Sequence, residues 1–239
     1  MLVEAAAAAE PQAAREHVCD TIAEGFRQVG KMLWAGGYFI GADRRAGTSP
    51  LGFGDDATVG LAVVVQVAGE LMAGAVTLLR EGNIYAAAAL VRQIVECEYL
   101  AWAFAEDEEE ARAWMRSTRS ERMGLWQPRR IRDRSAGRFR AVDYALHCER
   151  GGHPTPAAMT MLPVHSPSVP IGLAWLDLAG HELSTWRYVS AVTSCHGWEK
   201  VGAVQDWSTL IAAAVDSWRA QDQLPELAAQ NEDLWRKRP

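Results

Sequence analysis

Cysteine is scarce in this chain of 239 residues, and its cysteines are never close together in the sequence. No C-x-x-C pair occurs among the four, which are Cys19, Cys97, Cys148 and Cys195. Small secreted domains hold themselves together with many disulfides, whereas well-separated thiols are typical of reducing compartments. The scarcity argues against a disulfide scaffold and predicts a cytoplasmic protein with reduced thiols.

A targeting segment is also missing from the sequence. The first residues, MLVEAAAAAEPQAAREH, have no basic stretch ahead of an apolar run, which a secretory signal requires. One stretch, residues 57–79, is long and apolar enough to cross a bilayer. It carries Gln66 and Glu70 near its middle, and a carboxylate at the centre of a bilayer costs about 2.5–3.5 kcal/mol. We therefore expect no export and no membrane span, and a buried core helix here.

Alternating stretches of Val, Ile, Thr and Tyr, which strands would need, are absent too. Alanine, leucine, glutamate and arginine fill the long segments and favour helices. The predicted fold class is all-α, a helical bundle built on a long antiparallel hairpin. With 49% hydrophobic residues, 23% charged residues and a net charge of −6, the composition is that of an ordinary globular chain. We expect a single domain, in which residues 1–54 form an N-terminal helix and glycine-rich loop that pack on a bundle of residues 55–239.

The hairpin is predicted from two apolar segments joined by a short break. One helix follows the capping residue Asp55 and runs to Arg80, the next covers residues 84–106, and Glu81-Gly82-Asn83 separates them. Further helices are predicted over residues 11–34, with an end at Gly36-Gly37, and from 107 to the break at Pro128. Others are predicted from there to about 148, with an interruption near Gly137, and over 171–195 and 206–222. Five prolines predict an extended loop over residues 153–170.

Tryptophans recur at helical spacing in the last part of the chain. Trp175 and Trp186 are eleven residues apart, as are Trp207 and Trp218, which places each pair on one face of a helix. We expect these rings to seal the core or a dimer contact, and ligand stacking is the alternative.

The second helix of the hairpin is strongly apolar but carries an arginine and a glutamate one turn apart. Arg92 and Glu96 are four residues apart, so they point to the same side and can pair. A buried ion costs several kcal/mol when it is unpaired. The pair is therefore either a tie between helices, reaching Tyr144 or the backbone near His153, or part of a functional site.

The same residues carry a resemblance to a known group of proteins. The segment from Leu79-Arg80-Glu81-Gly82-Asn83 through Arg92 and Glu96 is followed some fifty residues later by a Y-x-x-x-[SC]-x-x-x-x-H-P pattern, from Tyr144 to Pro154. Over roughly residues 58–200 the chain resembles uncharacterised bacterial helical proteins related to the HEPN (higher eukaryotes and prokaryotes nucleotide-binding) superfamily.

The resemblance implies a dimeric helical bundle, and many HEPN proteins are metal-independent ribonucleases of toxin–antitoxin and antiphage systems. Their motif is an arginine followed, after four to six residues, by a histidine, and Arg140 and His147 have this spacing. Ala141 stands where the family usually has a polar residue. The residues that match the group best are Arg92, Glu96, Tyr144 and His153. A histidine near an arginine could exchange the proton of an RNA 2′-hydroxyl while the guanidinium steadies the phosphate.

An arginine-rich segment follows an acidic one. Residues 112–140 hold ten arginines and two acids, a local charge of +8, directly after five acids over residues 106–110. Such a segment is typical of a phosphate-binding surface, and a solvated face whose charges pair with each other is the alternative. The predicted nucleic-acid-binding residues are Arg129, Arg130, Arg132, Arg134 and Arg138.

Familiar cofactor and metal motifs are missing, including the Walker loop, H-E-x-x-H and the E-x-x-H of di-iron bundles. A zinc site from His147, Cys148, His153, Cys195 and His196 is disfavoured, because adjacent helical residues point about 100° apart. We expect no metal and no cofactor.

The predicted function is an RNA-binding or metal-independent RNA-cleaving protein of a bacterial defence or toxin-like system, a homodimer with a cognate protein partner. The alternatives are a non-enzymatic protein–protein interaction module and a small-ligand-binding bundle.

Overall fold

A computed structural model describes residues 1–162, 171–195 and 199–236, and every regular element in these ranges is helical. The elements are α1 (Leu2–Ala7), α2 (Gln12–Phe39), α3 (Ala42–Ala46), α4 (Asp56–Arg80), α5 (Ile84–Glu106), α6 (Glu108–Arg116), α7 (Arg119–Leu125), α8 (Pro128–Arg134), α9 (Ala141–His147), a π-type turn (Cys148–Gly152), a 3₁₀ turn (Pro156–Met161), α10 (Ile171–Cys195), α11 (Glu199–Gln221) and α12 (Leu224–Arg236). The predicted all-α bundle is confirmed.

The hairpin at the centre of the bundle consists of α4 and α5. The carboxylate of Asp55 caps α4 by accepting the N–H of Ala57 at 3.1 Å. Gly82 turns the chain with a φ of +74°, a conformation that glycine adopts without strain, and the Asn83 side chain caps α5. The predicted boundaries of both helices are confirmed, since each depends on local signals.

The core forms where other long helices cover this hairpin. α2 packs along α4, α10 packs on α5 and α2, and α11 covers α2. The Trp175, Trp186 and Trp218 side chains are almost completely buried, and Phe26 meets Trp186 edge-on at 5.3 Å. The expectation that tryptophans seal the core is confirmed for these three. Because α2 contributes to the same core as α4 and α5, the N-terminal segment is an integral layer of the bundle.

Some predicted boundaries are wrong. The first long helix does not end at Gly36-Gly37 but continues to Phe39. Because Gly37 has no side chain, α2 can approach α4 closely at this point. A Cβ on Gly37 would lie 2.9 Å from the Thr58 side chain. The predicted loop before Asp55 contains α3, the loop over 153–170 begins with the 3₁₀ turn, and the last part of the chain forms α12. Residues 163–170 of that loop lie outside the described ranges.

α4 is long and apolar enough to cross a membrane, judged by length and composition alone. Its most apolar window is 61% buried inside the bundle, which is also what the core helix of a globular protein shows. The predicted core helix therefore accounts for this segment.

A carboxylic acid is fully buried on α10. Neither oxygen of Glu182 has a hydrogen-bond partner of good geometry among the described residues. Burial raises the pKa of Glu182 well above its usual value, the charge of Asp20 raises it further, and contact with the Cys19 thiol opposes them only in part. At a pH between the usual pKa of Glu and the raised pKa of Glu182, the folded chain therefore keeps a proton here that the unfolded chain loses.

We expect Glu182→Gln to stabilise the protein increasingly as the pH rises. Above the usual Glu pKa the unfolded wild type gains free energy by ionising while the folded state does not, by about 1.4 kcal/mol per pH unit up to the raised pKa. Urea denaturation of both proteins at about pH 5 and about pH 8 measures this difference. Glu149→Gln, at an exposed position, is the control. A difference between Glu182→Gln and wild type that does not change with pH would contradict the prediction.

Candidate functional site

A groove of about 1040 Å³ opens between α5, α10, α11 and α12. Apolar side chains contribute to its lining, among them Ala87 and Val91 of α5. Four arginines line it, namely Arg138, Arg150, Arg187 and Arg219. We call this feature the arginine groove. It combines cations and apolar surface in one concavity, which a phosphorylated ligand with an organic body requires.

A group of five polar side chains lies at the arginine groove, and four of them line it. His181 Nδ1 is 2.7 Å from Glu98 Oε2, and His181 Nε2 is 3.1 Å from His147 Nε2. The Ser184 hydroxyl donates to the other Glu98 oxygen at 2.6 Å. The Asp177 carboxylate lies 3.7 Å from both imidazoles. We call these five residues the histidine cluster.

Three helices bring the histidine cluster together. Asp177, His181 and Ser184 have the i, i+4, i+7 spacing that places side chains on one face of α10. Glu98 comes from the facing side of α5, where it is nearly buried, and His147 is the last residue of α9. The π-type turn that follows His147 widens the helix at this point, and such turns are frequent at functional sites.

The two imidazoles have opposite pKa shifts. Burial lowers the pKa of His147, and the neighbouring His181 adds to this against the attraction of Asp177. Burial alone would also lower the pKa of His181, but its hydrogen bond to Glu98 and the charge of Asp177 outweigh burial and raise it. His181 is therefore the imidazole of the pair that takes up a proton first as the pH falls.

The residues singled out on α5 meet Tyr144, as predicted. Arg92 Nη2 lies 2.9 Å from Glu96 Oε1 and donates to the Tyr144 hydroxyl at 3.1 Å, and that hydroxyl donates to Glu96 Oε1 at 2.8 Å. Burial and the Glu96 carboxylate raise the pKa of Tyr144. The three groups bind one another, although Arg92 Nε is buried without a hydrogen-bond partner among the described residues, and the arrangement fits a tie that fastens α9 to α5 beside the histidine cluster. A Cβ on Gly152 would lie 2.7 Å from Arg92 Cδ, which shows how closely the turn packs on this tie.

The other predicted site residues lie elsewhere. The His153 side chain is exposed, and its backbone N–H donates to Cys148 O. The Arg140 guanidinium binds Asp143 at 2.8 Å on the surface. Arg140 and His147 stand seven residues apart along α9, about 10 Å, so they form no contact dyad within one chain. A dyad of these two residues stays a prediction for the dimer.

The arginine-rich segment is divided between internal contacts and open surface. Arg134 binds Glu110 through two hydrogen bonds of 2.8 Å, Arg116 binds Asp56 at 2.6 Å, and Arg132 lies over the Tyr144 ring at 4.8 Å. Arg129 and Arg130 are exposed on α8, and Arg138 lines the arginine groove. The self-neutralising alternative therefore holds for part of the segment, and Arg138 is the predicted RNA-binding residue that reaches the groove.

Sequence reasoning missed Glu98, Asp177, His181 and Ser184. The available signal was the spacing of Asp177, His181 and Ser184 along one face of a mostly apolar helix. Asp177, His147 and His181 place one potential metal ligand atom each within 4.8 Å of one another. Of the zinc ligands considered from the sequence, His196 and the side chain of Cys195 lie outside the part of the chain that the structure describes.

Comparisons of the chain with protein-family models, with curated proteins and with solved structures found no match. The resemblance to the HEPN superfamily therefore stays a prediction.

Proposed function

We propose that this protein binds RNA in the arginine groove, as part of the bacterial defence or toxin-like role predicted from the sequence. The observation that supports this most is the set of four arginines around one groove that also presents Phe139 and Tyr188. Guanidinium groups bind phosphates through paired hydrogen bonds, and aromatic rings stack on unpaired bases. A single-stranded segment of RNA needs both kinds of contact.

The overall charge of the chain sets the conditions for this binding. A net charge of −6 repels RNA at long range, so affinity has to come from the local group of arginines. Each phosphate contact releases condensed counterions, which makes the affinity fall as salt rises. The slope of log affinity against log salt therefore reports how many phosphates the groove contacts.

We expect the Arg150→Ala/Arg187→Ala variant to bind single-stranded RNA more weakly than wild type and with a smaller salt dependence. Both arginines are exposed and line the groove, so their loss removes phosphate contacts and not core packing. The slope of log affinity against log salt should shrink by about 0.7 for each lost contact. Fluorescence anisotropy of a labelled RNA at several salt concentrations measures both quantities.

The matched control is Arg129→Ala/Arg130→Ala, which removes the same charge from the exposed surface of α8. We expect this pair to change the slope less than the groove pair. Equal losses in both variants would show that the groove contributes no more to phosphate binding than the surface of α8. An affinity of the wild type that does not change with salt would exclude phosphate recognition.

RNA cleavage without a metal is the second candidate function, and the paired imidazoles beside the groove favour it. His147 would take the proton of a 2′-hydroxyl while the 2′-oxygen attacks phosphorus. His181 would donate a proton to the 5′-oxygen as the P–O5′ bond breaks, giving a 2′,3′-cyclic phosphate and a 5′-hydroxyl. We expect His147→Ala to abolish cleavage of a mixed RNA in the presence of a chelator and His153→Ala to retain it.

Light scattering of the purified protein tests the predicted homodimer.

A further inference from the structure

We propose that His147, Asp177 and His181 form a binding site for one divalent transition-metal ion, with Zn²⁺ as the ion that fits best. The inference rests on the geometry of the histidine cluster and is independent of RNA. Two imidazoles and a carboxylate are a ligand set that zinc proteins use, and two of the three residues, Asp177 and His181, line the groove.

The distances between ligand atoms suit a single ion. Zinc binds nitrogen and oxygen at about 2.0–2.1 Å, so two ligand atoms of one ion lie no more than about 4.1 Å apart. The two Nε2 atoms of His147 and His181 are 3.1 Å apart. At that separation they subtend about 98° at an ion bound to both, close to the tetrahedral angle.

Asp177 can complete the set with a small movement. One of its oxygens lies 3.7 Å from His181 Nε2, and the three ligand atoms lie within 4.8 Å of one another. Its side chain is 48% exposed, so it has room to rotate and bring an oxygen to bonding distance of an ion held by the two histidines. The two histidines, which are more buried, need not move.

The residues behind the histidines support the same assignment. In its neutral form His181 donates from Nδ1 to Glu98, which leaves its Nε2 lone pair directed at His147 and the space between them. A carboxylate behind a ligating histidine is the usual arrangement in metal sites, because it fixes the ring and strengthens the ligand. Ser184 in turn holds Glu98 by its other oxygen. The negative charges of Glu98 and Asp177 together balance a divalent cation.

The experiment measures metal binding directly. Untagged protein is freed of metal with a chelator and titrated with ZnCl₂ by calorimetry and with CoCl₂ by visible absorption. We expect one ion per chain and the ligand-field bands of Co²⁺ bound to nitrogen and oxygen. Glu98→Gln should weaken binding by about 10- to 100-fold, as second-sphere changes do, and His181→Ala should weaken it further.

Two further variants keep the test decisive. Asp177→Asn changes an exposed side chain, so it should weaken binding while circular dichroism shows an intact fold even if His181→Ala unfolds. His153→Ala removes an exposed histidine outside the cluster and should leave the affinity unchanged. Absence of heat and of Co²⁺ bands in wild type, or equal binding by wild type and Asp177→Asn, overturns the site. RNA binding is measured separately, and cleavage is measured on metal-free protein because an ion bound to His147 would block its action as a base. The metal site can therefore fail while the proposed function stands, and the reverse.

Discussion

We expect Asp222→Ala to destabilise the protein by about 3–5 kcal/mol, because it leaves the guanidinium of Arg15 buried without its counter-charge. Arg15 is fully buried, and Asp222 is 5% exposed. Arg15 donates to both Asp222 oxygens, at 2.7 and 3.2 Å, and to the carbonyl oxygens of Ala5, Ala6 and Ala8. One side chain of α2 thus holds α1 and the end of α11. Urea denaturation with an unchanged m-value measures the loss.

The control for this prediction lies in the same part of the bundle. Glu226→Gln breaks the exposed pair of Arg219 and Glu226 at 4.0 Å and should cost less than about 1 kcal/mol. A double variant, Arg15→Met/Asp222→Leu, should be more stable than Asp222→Ala because it leaves no uncompensated charge. Equal stability of Asp222→Ala and Glu226→Gln would show that the buried pair contributes no more than a surface pair.

The same pair gives a dependence on acid. Burial would raise the pKa of Asp222, but hydrogen bonds from Arg15, from Trp218 and from the N–H of Leu224 outweigh it and hold the pKa below its usual value. The stabilisation is therefore present above the usual Asp pKa and is lost as the pH falls through the lowered one. The Asp222→Ala variant should lose less stability than wild type over that acid range.

The fold was predictable from the sequence where its signals are local. Asp55 caps a helix and Gly82 turns a hairpin through their own backbone and side chain, so neither depends on residues far along the chain. Gly37 shows the limit of this reasoning. Read locally it ends a helix, but in the bundle its missing side chain allows α2 to approach α4. Contacts between distant segments decide whether a helix ends at such a position, and these contacts cannot be predicted from the neighbouring residues in the sequence.

The candidate site was predictable only in part, for a similar reason. Arg92 and Glu96 are neighbours on one helix, so their pairing follows from spacing. The histidine cluster joins α5, α9 and α10, and its contacts connect residues 34 to 86 positions apart. No short spacing indicates that His147 meets His181 and that His153 does not. That selection depends on where the π-type turn sits against α5.

The π-type turn packs tightly on α5, and for this reason we expect Gly151→Val to disrupt the site. Gly151 is buried, and a Cβ there would lie 2.4 Å from the backbone carbon of Ala88 and 2.5 Å from the nitrogen of Ala89. These atoms belong to the backbone of α5, so they cannot move aside as a flexible side chain could. The turn has to lift away from α5, at a cost above the 1–3 kcal/mol or so typical of overpacking by side chains.

The displacement of this turn should reach the histidine cluster, because His147 directly precedes the turn and Tyr144 ties the same helix to Arg92. Thermal unfolding measures the lost stability, and binding of Co²⁺ and of RNA to any folded variant measures the lost geometry. Gly124→Ala is the matched control, since a Cβ at Gly124 meets no other atom within 4 Å in α7 and should leave stability equal or raised by about 0.5–1 kcal/mol. A Gly151→Val protein as stable as Gly124→Ala would show that the turn has room to shift, and that its packing on α5 does not position the site.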